Sequence, residues 1–211
     1  MVDYAAIQQA VIEGDDEKTV KLVQDALKHE VSPADIVTYA LQAGMATVGR
    51  KFSEGEFFIP EMLFAARSVT RAMDALRPRL GKAEKLTLGR VAIGTVAGDI
   101  HDIGKNLVGM FLEGAGFEII DLGTDVHAEQ FVEAVIKYKP DILGLSALLT
   151  TTMPAISATI AALEMAELRN KVKVIIGGAP VNQHFADMVK ADGYGHDGGA
   201  SIALCRKLLG K

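Results

Sequence analysis

The chain contains no tryptophan and one cysteine in 211 residues. A lone thiol excludes an intrachain disulfide and a CxxC site. Cys205 falls in a helical pattern with Ile202, Leu204 and Leu208, and so reads as core filler rather than a reactive group. Apolar runs are short. None approaches the ~18 residues that a membrane span requires, and Met1-Val2-Asp3-Tyr4 lacks the basic-then-apolar opening of a signal peptide. Basic blocks are missing too: 22 Lys and Arg stand against 27 Asp and Glu, a formal charge of −5. That balance argues against nucleic acid as the main partner. The expected setting is the cytoplasm, with neither membrane nor nucleic acid involved.

What is present is enough apolar material, 49% of residues, to build one or two cores. The two halves carry different periods. Residues 1–80 show helical spacing with almost no strand signal. Tyr4, Ile7 and Val11 form one stripe, and Val20, Val23 and Leu27 a second. Ile36, Val37, Ala40, Leu41, Gly44 and Val48 form a third, opened by Ser32 as N-cap with Pro33 in the first helical position. Met62, Leu63, Ala66, Val69, Thr70, Met73 and Leu76 form the fourth. Four amphipathic helices with short connections predict a small bundle.

Charged residues without apolar period follow at Pro78–Lys85, and 81–89 reads as a linker. From 90 to 211, short apolar runs at 91–96, 118–122, 141–146 and 172–177 alternate with helical patterns at 105–115, 128–138, 153–169 and 182–190. A fifth short strand is expected near Tyr194 and a last helix over 198–209. This alternation predicts a parallel sheet wound on both sides.

The chemistry concentrates at three loops that such a sheet brings to the carboxyl ends of its strands, where ligands bind. Gly98-Asp99-Ile100-His101-Asp102-Ile103-Gly104 follows the first strand. A neutral imidazole there is a metal ligand, and a carboxylate two residues earlier can take its other N–H and set the tautomer. Ser146-Ala147-Leu148-Leu149-Thr150-Thr151-Thr152 follows the third strand with hydroxyl groups, and Gly177-Gly178 follows the fourth, where backbone can approach a ligand. Each has an ordinary reading by itself: a surface histidine, a serine that caps a helix, a turn. Their combined spacing is more specific. His29 at a helix end, His127 at a helix start, His184 on a surface helix and His196-Asp197 near the fifth strand all read as structural.

Asp99-x-His101-x-x-Gly104, then 41 residues, Ser146-x-Leu148, 28 residues and Gly177-Gly178 together resemble the cobalamin-binding module of corrinoid-dependent methyltransferases and mutases. The segment Lys51-Phe52-Ser53-Glu54-Gly55-Glu56-Phe57-Phe58-Ile59-Pro60-Glu61-Met62-Leu63 looks like part of the helical cap in methyl-carrying corrinoid proteins. The resemblance spans nearly the whole chain. It is closest to the corrinoid proteins of methylamine, methanol and methoxyarene methyltransferase systems, with the module of methionine synthase more distant.

It implies an α + α/β architecture: a four-helix cap over 1–80 and a Rossmann-like or flavodoxin-like corrinoid-binding domain over 90–211. It implies a cobamide bound base-off, with His101 as lower cobalt ligand in place of the cofactor's own base. Asp99 and Thr152 would form the relay behind that ligand, where a serine is expected in methionine synthase. Gly98, Ile100, Asp102 and Gly104 would line the loop, with Asp102 either touching the corrin or capping the helix. Ser146, Leu148, Thr150, Gly177 and Gly178 would receive the displaced nucleotide tail. Phe52, Ile59, Met62 and Leu63 would form an apolar lid over the upper face, and the linker would let it move aside.

The implied protein is a carrier and not a complete enzyme. Its reduced cobalt would accept a methyl group from a donor activated by a substrate-specific methyltransferase. It would pass that group to a second methyltransferase acting on a thiol or tetrahydrofolate, with a reductive activation protein as a further partner. A cobalamin sensor is a rival, but no basic recognition helix is seen; a mutase small subunit is another, but it usually lacks the cap.

Overall fold

In a computed structural model of the protein, residues 3–79 and 87–211 are described. The chain forms two compact units. One comprises residues up to 87 together with 110–116, and the other comprises 88–109 and 117–211. Most of the expected linker at 81–89 lies outside the described residues; only 87–89 are described.

The first unit is helical. Helix α1 (Tyr4–Ile12) is opened by Asp3, whose carboxylate accepts from the N–H of Ala6 at 3.1 Å. Asp15 does the same for Lys18 at the start of α2 (Asp16–Lys28) at 2.9 Å. Such caps satisfy amides that have no partner inside the helix. The third apolar stripe becomes α3 (Pro33–Ile36), which passes through a π-helical stretch at Val37–Gln42 into α4 (Ala43–Ser53). Pro33 takes the first helical position as expected, but the Ser32 side chain makes no capping hydrogen bond. Helix α5 (Ile59–Leu76) buries Met62, Ala65, Ala66, Val69, Ala72 and Leu76 and packs along α2. Asp16 answers two cations of α5, accepting from Arg67 at 3.0 Å and Arg71 at 2.9 Å.

The second unit carries β1 (Arg90–Thr95), α6 (Ile103–Gly114), β2 (Glu118–Asp121), α7 (Ala128–Tyr138), β3 (Ile142–Ser146), α8 (Met153–Met165), β4 (Lys173–Gly177), α9 (Gln183–Met188), β5 (Gly193–Tyr194) and α10 (Gly198–Leu208). The second half of α6 belongs to the helical unit. Among the described residues the strands form one parallel sheet in the order β2-β1-β3-β4-β5. This is the flavodoxin-like order, in which the winding reverses between β1 and β3. The central strands are buried on both faces, as parallel strands between helices must be: Ile142, Leu143 and Leu145 of β3 and Val174 and Ile176 of β4 are all in the core, whereas the edge strand β2 is only half-buried. The expected α + α/β class, with helices preceding a doubly wound sheet, is what the chain adopts.

Cys205 is buried in α10, and burial pushes its thiol up to about 12. No helix among the described residues is long and apolar enough to cross a membrane.

Candidate functional site

The loops after β1 and β3 flank the point where the sheet reverses direction. Their strands run side by side in register, with Thr95 opposite Ser146. Asp99 and Thr152, 53 positions apart in sequence, therefore end next to each other. Asp99 is 1% exposed, and its carboxylate joins the two loops. Oδ1 accepts from the His101 N–H at 3.0 Å and lies 2.7 Å from His101 Nδ1. Oδ2 accepts from the Leu148 N–H at 2.7 Å and from the Thr152 hydroxyl at 2.8 Å, with the Leu149 N–H at 3.4 Å. The Thr152 hydroxyl has one proton and a second acceptor, the Leu149 carbonyl at 2.9 Å; the charged carboxylate is the stronger of the two.

This geometry fixes the protonation pattern. Burial by itself would raise the Asp99 pKa. The N–H groups of His101 and Leu148, the His101 ring and the Thr152 hydroxyl outweigh burial and hold the carboxyl well below the usual carboxylate range. An ionised carboxylate only accepts. His101 Nδ1 therefore carries a proton toward Asp99, and in the neutral ring the lone pair lies on Nε2. The side chain is 48% exposed, and Nε2 takes no hydrogen bond from the described residues. Thr95 completes the loop: its hydroxyl donates to the His101 carbonyl at 2.9 Å.

The surroundings are apolar and open. Ile100 is 75% and Ile103 84% exposed, and Leu148 and Leu149 are also exposed. Large exposed apolar side chains beside a free donor mark a binding surface rather than a core. No group of three or more His, Cys, Asp or Glu able to hold a bare ion occurs among the described residues. A single imidazole suits a metal that arrives with its own equatorial donors, in a flat group wide enough to rest on the isoleucines and leucines. The residues thus fit a corrinoid.

The remaining expected positions fall as follows. Gly98 has φ of +79°, open to glycine at little cost. Gly104 sits in the first turn of α6 with open space around it. Asp102 accepts from the Asn106 side chain at 3.0 Å. Ser146 ends β3 half-buried, and Thr150 is exposed in the following turn. Gly178 has φ of +124°, and a Cβ there would lie 1.8 Å from the Ala147 carbonyl oxygen, so any larger residue would push apart the β3 and β4 loops.

In the helical unit, Phe52 is half-buried with its ring 5.8 Å from that of Phe111. Met62 is fully buried, Leu63 is half-buried and Ile59 is exposed. The backbone N–H of His127 donates to the Gln130 side chain at 2.8 Å. His196 pairs with Asp197 at 2.9 Å.

Three residues near the site escaped the sequence reading. Lys105, 3% exposed, donates to Asp121 at 2.5 Å and to the Asn106 side chain at 2.6 Å. Its spacing to Val108 and Leu112 on the apolar face of α6 was the available signal. Burial would raise the Asp121 pKa, but the hydrogen bond from Lys105 and the Gly123 N–H lower it on balance. Asp125, in the turn after β2, offered no signal at all, because its partners lie 26 and 27 residues upstream.

Comparison with known proteins points the same way. Two B12-binding domain models match, one over residues 89–204 and one over 4–77. The trimethylamine corrinoid protein of Methanosarcina barkeri is 39% identical over 207 residues, covering 97% of this chain and 95% of that protein. The crystal structure of a cobalamin-binding protein from Desulfitobacterium hafniense DCB-2 superposes with a TM-score of 0.86 at 34% identity, covering 99% of both chains. A chain of the methanol:cobalamin methyltransferase complex of Methanosarcina barkeri gives 0.84 at 32% identity, over 98% of this chain and 79% of that one. With these relatives matched over nearly the whole of this chain and an exposed imidazole where the winding of the sheet reverses, the chain belongs to the B12-binding corrinoid proteins of methyltransferase systems.

Proposed function

We propose that the protein is a methyl carrier that binds a cobamide base-off, with His101 Nε2 as the lower cobalt ligand. The observation that carries this reading is the Asp99 clamp. It keeps Nδ1 protonated and Nε2 open, which is the state an axial ligand requires. Bound there, the cobamide would supply the cobalt that takes up and releases the methyl group. The chain's own residues supply position and charge. Asp99 holds the ring through Nδ1 and would stabilise positive charge on it. Thr152 and the Leu148 N–H keep Asp99 ionised. Ile100, Ile103, Leu148 and Leu149 offer the macrocycle an apolar seat, and Ser146, Thr150, Gly177 and Gly178 lie along the strand ends where the nucleotide tail would run.

Partner enzymes complete the cycle on this reading. The matched chain from a methanol:cobalamin methyltransferase complex supports a substrate-specific methyltransferase as donor-side partner. A second methyltransferase with a thiol or tetrahydrofolate acceptor would receive the group, and a reductive activation protein would restore the cobalt. Phe52, Ile59, Met62 and Leu63 would supply the apolar cover, Met62 being the buried one of the four.

Reconstitution with cobamide tests the ligand. Wild type should show the absorption of an imidazole-ligated cobamide, and His101→Ala should lose it completely; an unchanged His101→Ala spectrum removes the assignment. Screening methyl donors with candidate methyltransferases then tests the carrier role.

A further inference from the structure

The loop that presents His101 is held from a second side, and that hold uses one residue. Asp125 lies between β2 and α7 with φ of 53°, in the left-handed region. Aspartate is among the few side chains that enter it readily, although at a cost. The segment is laid against the end of β1 by a parallel bridge between Val96 and Val126 and by the Val126 N–H, which donates to the Thr95 carbonyl at 2.9 Å. This places Asp125 against the two residues that begin the His101 loop. Its Oδ1 accepts from the Gly98 N–H at 2.7 Å, and its own N–H donates to the Asp99 carbonyl at 2.9 Å.

The two-residue segment Gly98-Asp99 is thereby gripped at both ends, at the Gly98 N–H and the Asp99 carbonyl, by a single residue. Gly98 is itself left-handed, at +79°, so the turn it makes depends on being held. The direction of the following Cα–Cβ bond decides whether the Asp99 carboxylate reaches Leu148 and Thr152 on one side and the His101 ring on the other. Among the described residues Asp125 forms no ion pair, and its side chain is not buried; the grip is the role its contacts show.

We propose that Asp125 is a positioning residue for His101: by clamping the Gly98-Asp99 segment at its two ends it aims the Asp99 carboxylate and so sets the fraction of protein in which the imidazole engages cobalt. This rests on His101 being the lower ligand. It predicts that the acceptor atom matters and the negative charge does not.

Four variants of the full chain test it: Asp125→Gly, Asp125→Asn, Asp125→Ala and His101→Ala. Asp125→Gly removes the acceptor while easing the left-handed backbone, so it folds even where Asp125→Ala does not. In cofactor-free protein, amide exchange at Gly98 followed by NMR should quicken tenfold or more in Asp125→Gly and stay within twofold of wild type in Asp125→Asn. After loading with cobamide, the imidazole-ligated fraction should fall severalfold in Asp125→Gly and Asp125→Ala and return in Asp125→Asn, while His101→Ala loses it entirely. An Asp125→Gly protein with a wild-type ligated fraction, whatever its exchange rate, overturns the positioning role while the His101→Ala result leaves the ligand reading intact. A His101→Ala protein with the wild-type spectrum removes the ligand reading, and the proposal with it.

Discussion

Two aspartates near the carboxyl ends of β1 and β2 are satisfied in opposite ways. Asp99 is buried and meets backbone N–H groups, a hydroxyl and an imidazole. Asp121 has a side chain 53% exposed and meets the ammonium of Lys105, whose side chain is 2% exposed. The charge of Asp121 is cancelled by a full opposite charge. The charge of Asp99 is solvated by dipoles and remains available to the His101 ring. The first arrangement joins β2 to α6, and the second keeps a negative potential beside a prospective ligand. Here the buried carboxylate held mostly by neutral donors marks the chemistry, and the buried ammonium paired with a half-exposed carboxylate marks the framework.

The comparison breaks most visibly at Asp121. Asp121→Leu should leave the buried Lys105 ammonium without its counter-charge, held only by the Asn106 side chain, and cost about 3 kcal/mol in urea unfolding. Lys105→Met should cost less, because the carboxylate left behind is half in water. The double variant should recover most of the Asp121→Leu loss, since an apolar pair of similar volume is often neutral. Additive losses would show that the pair is not coupled.

Asp99→Ala should cost about 2 kcal/mol at pH 7, because several buried donors lose their acceptor. Thr152→Val should cost about 1 kcal/mol. The dependence on pH has a definite sign. The folded-state pKa of Asp99 is lowered, so its stabilisation is fully present above the unfolded value of about 4. It is lost as pH falls through the folded value. Compared in a His101→Ala background, where no ring titrates beside the carboxylate, the gap between the Asp99 protein and its Asp99→Asn variant should be flat from pH 7 to pH 5 and narrow in more acidic buffer. A gap that widens on acidification would contradict the assigned ionisation. The smallest effect belongs to Cys205. With its thiol pushed up to about 12 and buried, it should resist alkylation at pH 8 in the native protein and react once the protein is unfolded in urea.

Regular structure was legible to within a few residues. The run expected over 91–96 is β1 at Arg90–Thr95, and the run over 118–122 is β2 at Glu118–Asp121. Apolar period and strand–helix alternation are local properties, and burial on both faces of a parallel sheet acts directly on them. The expected helix over 153–169 stops earlier, at Met165, and a 3-10 turn at Arg169–Lys171 follows. The π-helical stretch at Val37–Gln42 left no trace in the apolar spacing, because a single wide turn hardly shifts a stripe. Ser32 carried the residue type of a cap without making the bond.

At the candidate site the legible part was also the local part. Asp99 and His101 are two residues apart, and their contact follows from loop geometry. Thr152 came into view through resemblance and not through any rule of spacing. The Leu148 N–H, the Lys105–Asp121 pair and the Asp125 clamp had no signature that one sequence displays. Backbone amides are identical at every position, so which of them faces Asp99 depends on the course of the chain in space.

The amino-acid order by itself determined where helices and strands form, that strands alternate with helices in the second half, and that an imidazole and a carboxylate share one loop. These follow from side-chain volume, polarity and spacing along a few turns of chain. Only the tertiary structure decided that Asp99 is buried, that its carboxyl is held well below the usual carboxylate range, and that it holds the His101 ring through Nδ1. Those outcomes depend on donors from positions 148 and 152, brought to the carboxylate by the pairing of β1 with β3.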